Sequence, residues 1–179
     1  MKTRARAAGT LMSVDGVSGS ALRRVATRLA TADRNDRAGT SFWDASGIFG
    51  DLGPVGSDGE RPSVRTLLLL YAADLAFRLR WEIRPALAEG RRVIAAPYVD
   101  TAIALGRAAG LDDSWIRSIF QFAPAASERR YVEGAPKGTV AGAGFIEFAC
   151  RSLVGVETRS ARQDLVTRTQ ARLKATRHR

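Results

Sequence analysis

The chain has 179 residues, 45% of them hydrophobic and 26% charged, with a formal net charge of +10. That length and balance fit a single domain with a sizeable core, while the solitary Cys150 excludes an intramolecular disulfide and a CxxC metal site. The longest apolar run, Leu67–Leu70 continuing through Tyr71, Ala72 and Ala73, falls far short of a membrane span, and no apolar stretch follows the first basic residues, so a soluble cytoplasmic protein without membrane contact is expected.

Residues 1–9 carry Lys2, Arg4 and Arg6 with no acid and read as a basic tail, followed by a single domain over 10–176 and a short tail over 177–179. Thr10 to Val14 reads as a short buried strand, Gly16 to Ser20 as a Gly-rich turn, and Ala21 to Ala32 as a helix with Leu22, Val25, Ala26 and Leu29 on one face. A second strand is expected at Thr40 to Trp43. The Gly/Asp-rich stretch after it, to about Arg61, reads as a long loop without a regular element.

From Pro62 a long helical pattern runs to about Glu89, kinked where Pro85 removes a backbone donor and stopped by Gly90. Arg92 to Ala96 is then a strand, Asp100 to Ala109 and Asp113 to Phe122 are helices, and Arg130 to Val132 is a fourth strand. After the Gly/Ala-rich "GTVAGAG", two helices are expected at Phe145 to Val154 and Ser160 to Thr176. Strands alternating with helix-length crossovers predict a parallel sheet covered on both faces, a three-layer α/β/α arrangement.

Few side chains are suited to catalysis. Cys150 reads as a small buried hydrophobe, and His178, the one histidine, is second from the end, so neither His-based acid–base chemistry nor a metal site is expected. The strand–turn–helix unit around "SVDGVSGSALRR" lies where a phosphate-binding loop would begin. Such a loop needs a lysine for the outer phosphates and a hydroxyl for magnesium, yet the chain's three lysines, Lys2, Lys137 and Lys174, all lie far from Gly16–Gly19.

Three stretches together resemble bacterial thymidylate kinases, P-loop nucleoside monophosphate kinases: "SVDGVSGS", "LLLLYAADLAFRLRWEIRPALAEGRRVI" and "AAPYVDTAIALG", in matching order and spacing over roughly residues 10 to 125. The resemblance implies a P-loop NTPase-like parallel sheet and a degenerate phosphate loop formed by Gly16, Val17, Ser18, Gly19, Ser20, Ala21, Leu22 and Arg23. There Ser18 stands for an aspartate, Ala21 for the third glycine, Leu22 for the lysine and Arg23 for the Ser or Thr. Tyr71 matches the aromatic that stacks on the pyrimidine, and Asp74, Tyr98 and Thr101 also survive as nucleoside-binding candidates. Leu75 replaces an arginine, Ala96 and Pro97 replace an Asp-Arg pair, and Leu105 replaces a tyrosine.

Phosphoryl transfer depends almost wholly on positioning and charge neutralisation, so these replacements imply a catalytically impaired or silent relative with residual nucleotide or partner binding. Any surviving affinity would lie on the base side, for thymidine, dTMP or ATP, and the family's homodimer is a further expectation. The alternative is an active kinase using ATP and Mg²⁺ on dTMP, with Arg23, Arg24 and Arg78 as substitute catalytic cations. A third reading makes the basic ends a contact for nucleic acid or an acidic partner. For those arginines a solvated terminal helix is the plainer explanation.

Overall fold

Four parallel strands form the sheet: β1 (Thr10–Gly16), β2 (Gly39–Phe42), β3 (Arg92–Ala96) and β4 (Glu128–Val132), in the order β2-β3-β1-β4. The computed structural model describes residues 9–32, 38–52, 61–134 and 144–176, so the basic start and the last three residues lie outside it. In β1 every residue from Leu11 to Gly16 is buried, as a strand flanked by parallel neighbours and covered on both faces requires. The expected parallel α/β sheet is present.

On one face α1 (Gly19–Ala32) lays Leu22 and Ala26 against Met12, Val14, Ile94 and Ala96. The opposite face buries Leu11, Val93 and Ala95 beneath α3 (Val64–Arg78), α5 (Val99–Ala108), α7 (Phe145–Ser152) and α8 (Arg159–Thr176). Here α8 packs along α5, and Arg168 Nη1 donates to the Ala108 carbonyl at 2.7 Å. Cys150 is buried, and burial pushes its thiol up to about 11, in keeping with a packing role.

The loop after β2 contains an element that composition alone did not suggest: a short α2 (Ile48–Leu52). Asp44 explains it, since its carboxylate accepts the Phe49 and Gly50 N–H groups at 2.8 and 3.0 Å while Phe49 is buried in the core. The long helix begins at Val64, two residues after Pro62, because Ser63 is its cap and accepts the Thr66 N–H at 3.1 Å. It then passes through a π-helical turn (Leu79–Ile83) into α4 (Arg84–Ala88), with the Arg84 N–H reaching back to Leu79 O. Pro85, the second residue of α4, needs no donor there, so the kink expected at the proline is taken up by one wide turn ahead of it. Gly90, at φ +73°, ends the run. Capping by Asp112, which accepts the Trp115 N–H at 2.8 Å, starts α6 (Asp113–Phe120).

Candidate functional site

The chain leaves β1 towards β2 on one side and leaves the adjacent β3 towards β4 on the other. The crevice at the carboxyl ends of β1 and β3 is therefore the topological switch point, where ligands of open α/β sheets bind. Two helices begin there, α1 after β1 and α5 after β3, and each presents backbone N–H groups that favour an anion. Both are taken by carboxylates of the chain itself.

At α5 the anion is Asp15, the penultimate residue of β1. Its Oδ1 accepts the Tyr98 N–H at 3.0 Å, the Thr101 N–H at 3.0 Å and the Thr101 hydroxyl at 2.8 Å, while Oδ2 is buried without a hydrogen-bond partner. Burial, reinforced by the nearby charge of Asp100, pushes the Asp15 carboxyl up to about 6 against the opposing effect of those hydrogen bonds. Thr101 Oγ1 in turn accepts the Gly16 N–H at 3.1 Å, so the first loop amide also has an internal partner.

At α1 the anion is Glu147, from the first turn of α7. Both its carboxylate oxygens lie 3.1 Å from the Gly19 nitrogen, and burial raises its carboxyl above the ordinary glutamate value. Behind it, Gly144 is packed so closely that a Cβ there would lie 2.6 Å from Gly19 Cα and 2.3 Å from Glu147 Oε2. Nothing in the sequence pattern singled out Glu147. The available signal was a lone acid in the first turn of a helix, which is ordinary capping chemistry.

The loop itself is short. Only Val17 and Ser18 separate β1 from α1, which begins at Gly19 rather than at Ala21, and the Leu22 N–H already donates to Ser18 O at 2.9 Å. The Ala21 amide donates to the Ser18 hydroxyl at 3.4 Å, so the Gly19, Ala21 and Leu22 amides all have partners within the chain. Ala21 is buried, Leu22 is 2% exposed against the sheet, and Ser20 is exposed.

Two of the candidate cations are exposed and the third is held within the fold. Arg23 and Arg24 are exposed, and Arg23 lies over the Phe42 ring with its guanidinium carbon 4.4 Å from the centroid. Arg78 is fully buried: Nε donates to Ser41 Oγ at 2.9 Å, Nη2 to Ser41 O at 2.8 Å and Nη1 to Pro97 O at 3.0 Å, beside the cis Ala96–Pro97 bond. The usual exposure of arginine pointed the other way. Among the described residues no three His, Cys, Asp or Glu side chains gather.

The nucleoside-binding candidates come together behind the crevice and are engaged with one another and with backbone. Tyr71 is fully buried, its hydroxyl donating to Tyr98 O at 2.7 Å and its ring 4.4 Å from that of Phe145. Asp74, also fully buried, accepts the Asp44 N–H, the Ser46 N–H and the Ser46 hydroxyl at 3.0, 3.0 and 2.9 Å, tying α3 to the segment before α2. The Tyr98 hydroxyl donates to Pro124 O at 2.8 Å. An open groove of about 720 Å³ lies instead beside α5, α6 and α8, with Arg107, Arg117, Arg129 and Arg172 on its walls and Phe120 in its lining.

No protein-family model matches the sequence. Over 67 residues, 37% of this chain, it is 40% identical to a probable thymidylate kinase of Pyrococcus horikoshii and equally to one of Pyrococcus abyssi; the match spans only 33% of each relative. A crystal structure of thymidylate kinase from Ehrlichia chaffeensis matches 96% of this chain and 82% of that one with a TM-score of 0.65 at 12% identity. Over that segment the chain is thus similar in sequence to thymidylate kinases, and its parallel α/β fold is that of the Ehrlichia enzyme.

Proposed function

We propose that this protein is a thymidylate kinase-like domain that does not transfer phosphate and acts as a binding module. The observation that carries the reading is Leu22, at the position that corresponds to the phosphate-binding lysine and buried to 2% against Met12, Val14 and Ile94. No cation can reach a phosphate from there, and loss of one transition-state donor alone costs on the order of 3 kcal/mol, about a hundredfold in rate. Arg78 is fully buried and spends one N–H of each of its three nitrogens on Ser41 and Pro97, which speaks against its serving as a substitute.

Binding, on this reading, uses surfaces outside the crevice. The groove beside α5, α6 and α8 offers four arginines and an apolar floor to an acidic partner, although Arg107 and Arg117 already pair with Asp113, and Arg129 with Asp100. Along α3 and its π-helical turn, Leu69, Phe77 and Trp81 are 53%, 39% and 61% exposed, a stripe suited to a second copy of the chain.

Calorimetric titration with thymidine, dTMP and ATP, each with and without magnesium, tests the reading. The expected result is no gain in affinity from the phosphate groups. A strong preference for dTMP or ATP, as charge-assisted hydrogen bonds would give, would overturn it.

A further inference from the structure

We infer that α7 is an intramolecular occupant of the nucleotide site, with the Glu147 carboxylate in the place of a phosphate at the start of α1 and the Phe145 ring in the place of a base against Tyr71. The inference rests on the reading of the crevice as a former kinase site and goes beyond the loss of its cations, because it names what fills the space.

Three independent observations meet in this one segment. Glu147 brings a carboxylate, with both oxygens 3.1 Å from the Gly19 nitrogen, to the helix end where an oxyanion would be favoured. Two residues earlier, Phe145 is 1% exposed and its centroid lies 4.4 Å from that of Tyr71, in an aromatic cluster with Trp43 and Phe49. Gly144 passes so near Gly19 that no side chain fits between the two backbones.

The arrangement has the chemistry of a competitor. A phosphate entering at Gly19 would meet a carboxylate already accepting the Gly19 N–H, and like charges at that separation repel. A planar ring seeking Tyr71 would have to displace Phe145, together with Phe148, whose ring is 5.2 Å from Phe49 and 5.9 Å from Trp43. Because α7 is held by that aromatic cluster as well as by the carboxylate, removing the charge alone leaves the helix seated. It should open the anion end of the site and leave the base end shut.

The test compares the full chain with Glu147→Gln and Glu147→Ala, using inorganic pyrophosphate as the probe and sodium chloride at matched ionic strength as the control. Calorimetry and the pyrophosphate-dependent shift in melting temperature both read binding to the folded state. The unmodified chain should show neither heat nor shift, whereas each variant should bind pyrophosphate at least about tenfold more tightly, the scale expected when an anion gains a helix N-terminus. Glu147→Gln keeps the shape of the side chain and so covers the case in which Glu147→Ala fails to fold. Absence of binding in all three proteins, or no gain in a folded Glu147→Gln, would overturn the inference while leaving the proposed function intact. Phosphate-dependent binding of ATP or dTMP by the unmodified chain would instead strike at the proposed function itself.

Discussion

Arg78 and Ser41 are joined by two hydrogen bonds, from Nε to the Ser41 hydroxyl at 2.9 Å and from Nη2 to the Ser41 carbonyl at 2.8 Å, inside a fully buried environment. The contact fixes the end of β2 to α3, and the third bond, to Pro97, extends it to the end of β3. Arg78→Lys should therefore destabilise the fold by about 3 kcal/mol, because a point charge cannot replace the planar fork and leaves buried acceptors unpaired. Urea denaturation reads this directly. A change below about 0.5 kcal/mol, the range of ordinary surface substitutions, would mean that Arg78 is not the tie described.

A lysine placed at position 22 should not confer kinase activity. Leu22 faces the sheet, with its Cδ2 atom 3.4 Å from where a Gly16 Cβ would stand, so Leu22→Lys buries an ammonium group among Met12, Val14 and Ile94. The expected outcome is a loss of more than about 3 kcal/mol in unfolding free energy with no phosphate transfer gained. Measurable dTMP phosphorylation by a stably folded Leu22→Lys protein would show that the side chain turns to the crevice instead.

The fold was largely legible in the sequence, and the site only in part. Buried runs such as Leu11–Val14 and Val93–Ala96, separated by helix-length segments, specify parallel strands through burial alone. What escaped was set by contacts between residues distant in sequence. The short α2 helix, though capped locally by Asp44, depends on the burial of Phe49 against Phe145 and Phe148, the burial of Arg78 depends on Ser41 and Pro97, and the occupation of α1 depends on Glu147, which is 128 positions from Gly19. Local propensity carries no information on such pairings, and the usual exposure of arginine argued against the second.

Stability should depend on pH through Asp15. Its carboxyl is raised to about 6 by burial, so the folded state holds the proton more tightly than the unfolded chain. The contribution is therefore fully present below about pH 4 and is lost as pH rises to about 6, in total roughly 3 kcal/mol. Asp15→Asn removes this dependence, so the variant should gain on the parent by about that amount across the same window, as measured by denaturation at successive pH values. Parallel curves for the two proteins would contradict the assignment.

Gly144 should tolerate no side chain. Its φ of −169° is extended backbone open to any residue, so the obstacle is contact alone: a Cβ would stand 2.6 Å from Gly19 Cα and 2.8 Å from Gly19 N. Gly144→Ala should cost about 1–3 kcal/mol, typical of overpacking against backbone, and should loosen α7 from α1. The thermal melt reports the first effect, and hydrogen exchange at the Gly19 amide reports the second. An unchanged melt together with unchanged Gly19 protection would mean that the two backbones are not in contact.

The central claim, that a thymidylate kinase fold has here lost its chemistry, is tested most directly by the rate of phosphate transfer from ATP to dTMP in the presence of magnesium, measured on the full chain beside an intact thymidylate kinase. With Leu22 in the core, Arg78 buried on Ser41 and Pro97, and Glu147 at the start of α1, the expected result is no transfer above the protein-free background. Turnover at about 1–100 per second, the ordinary range for kinases, would contradict it.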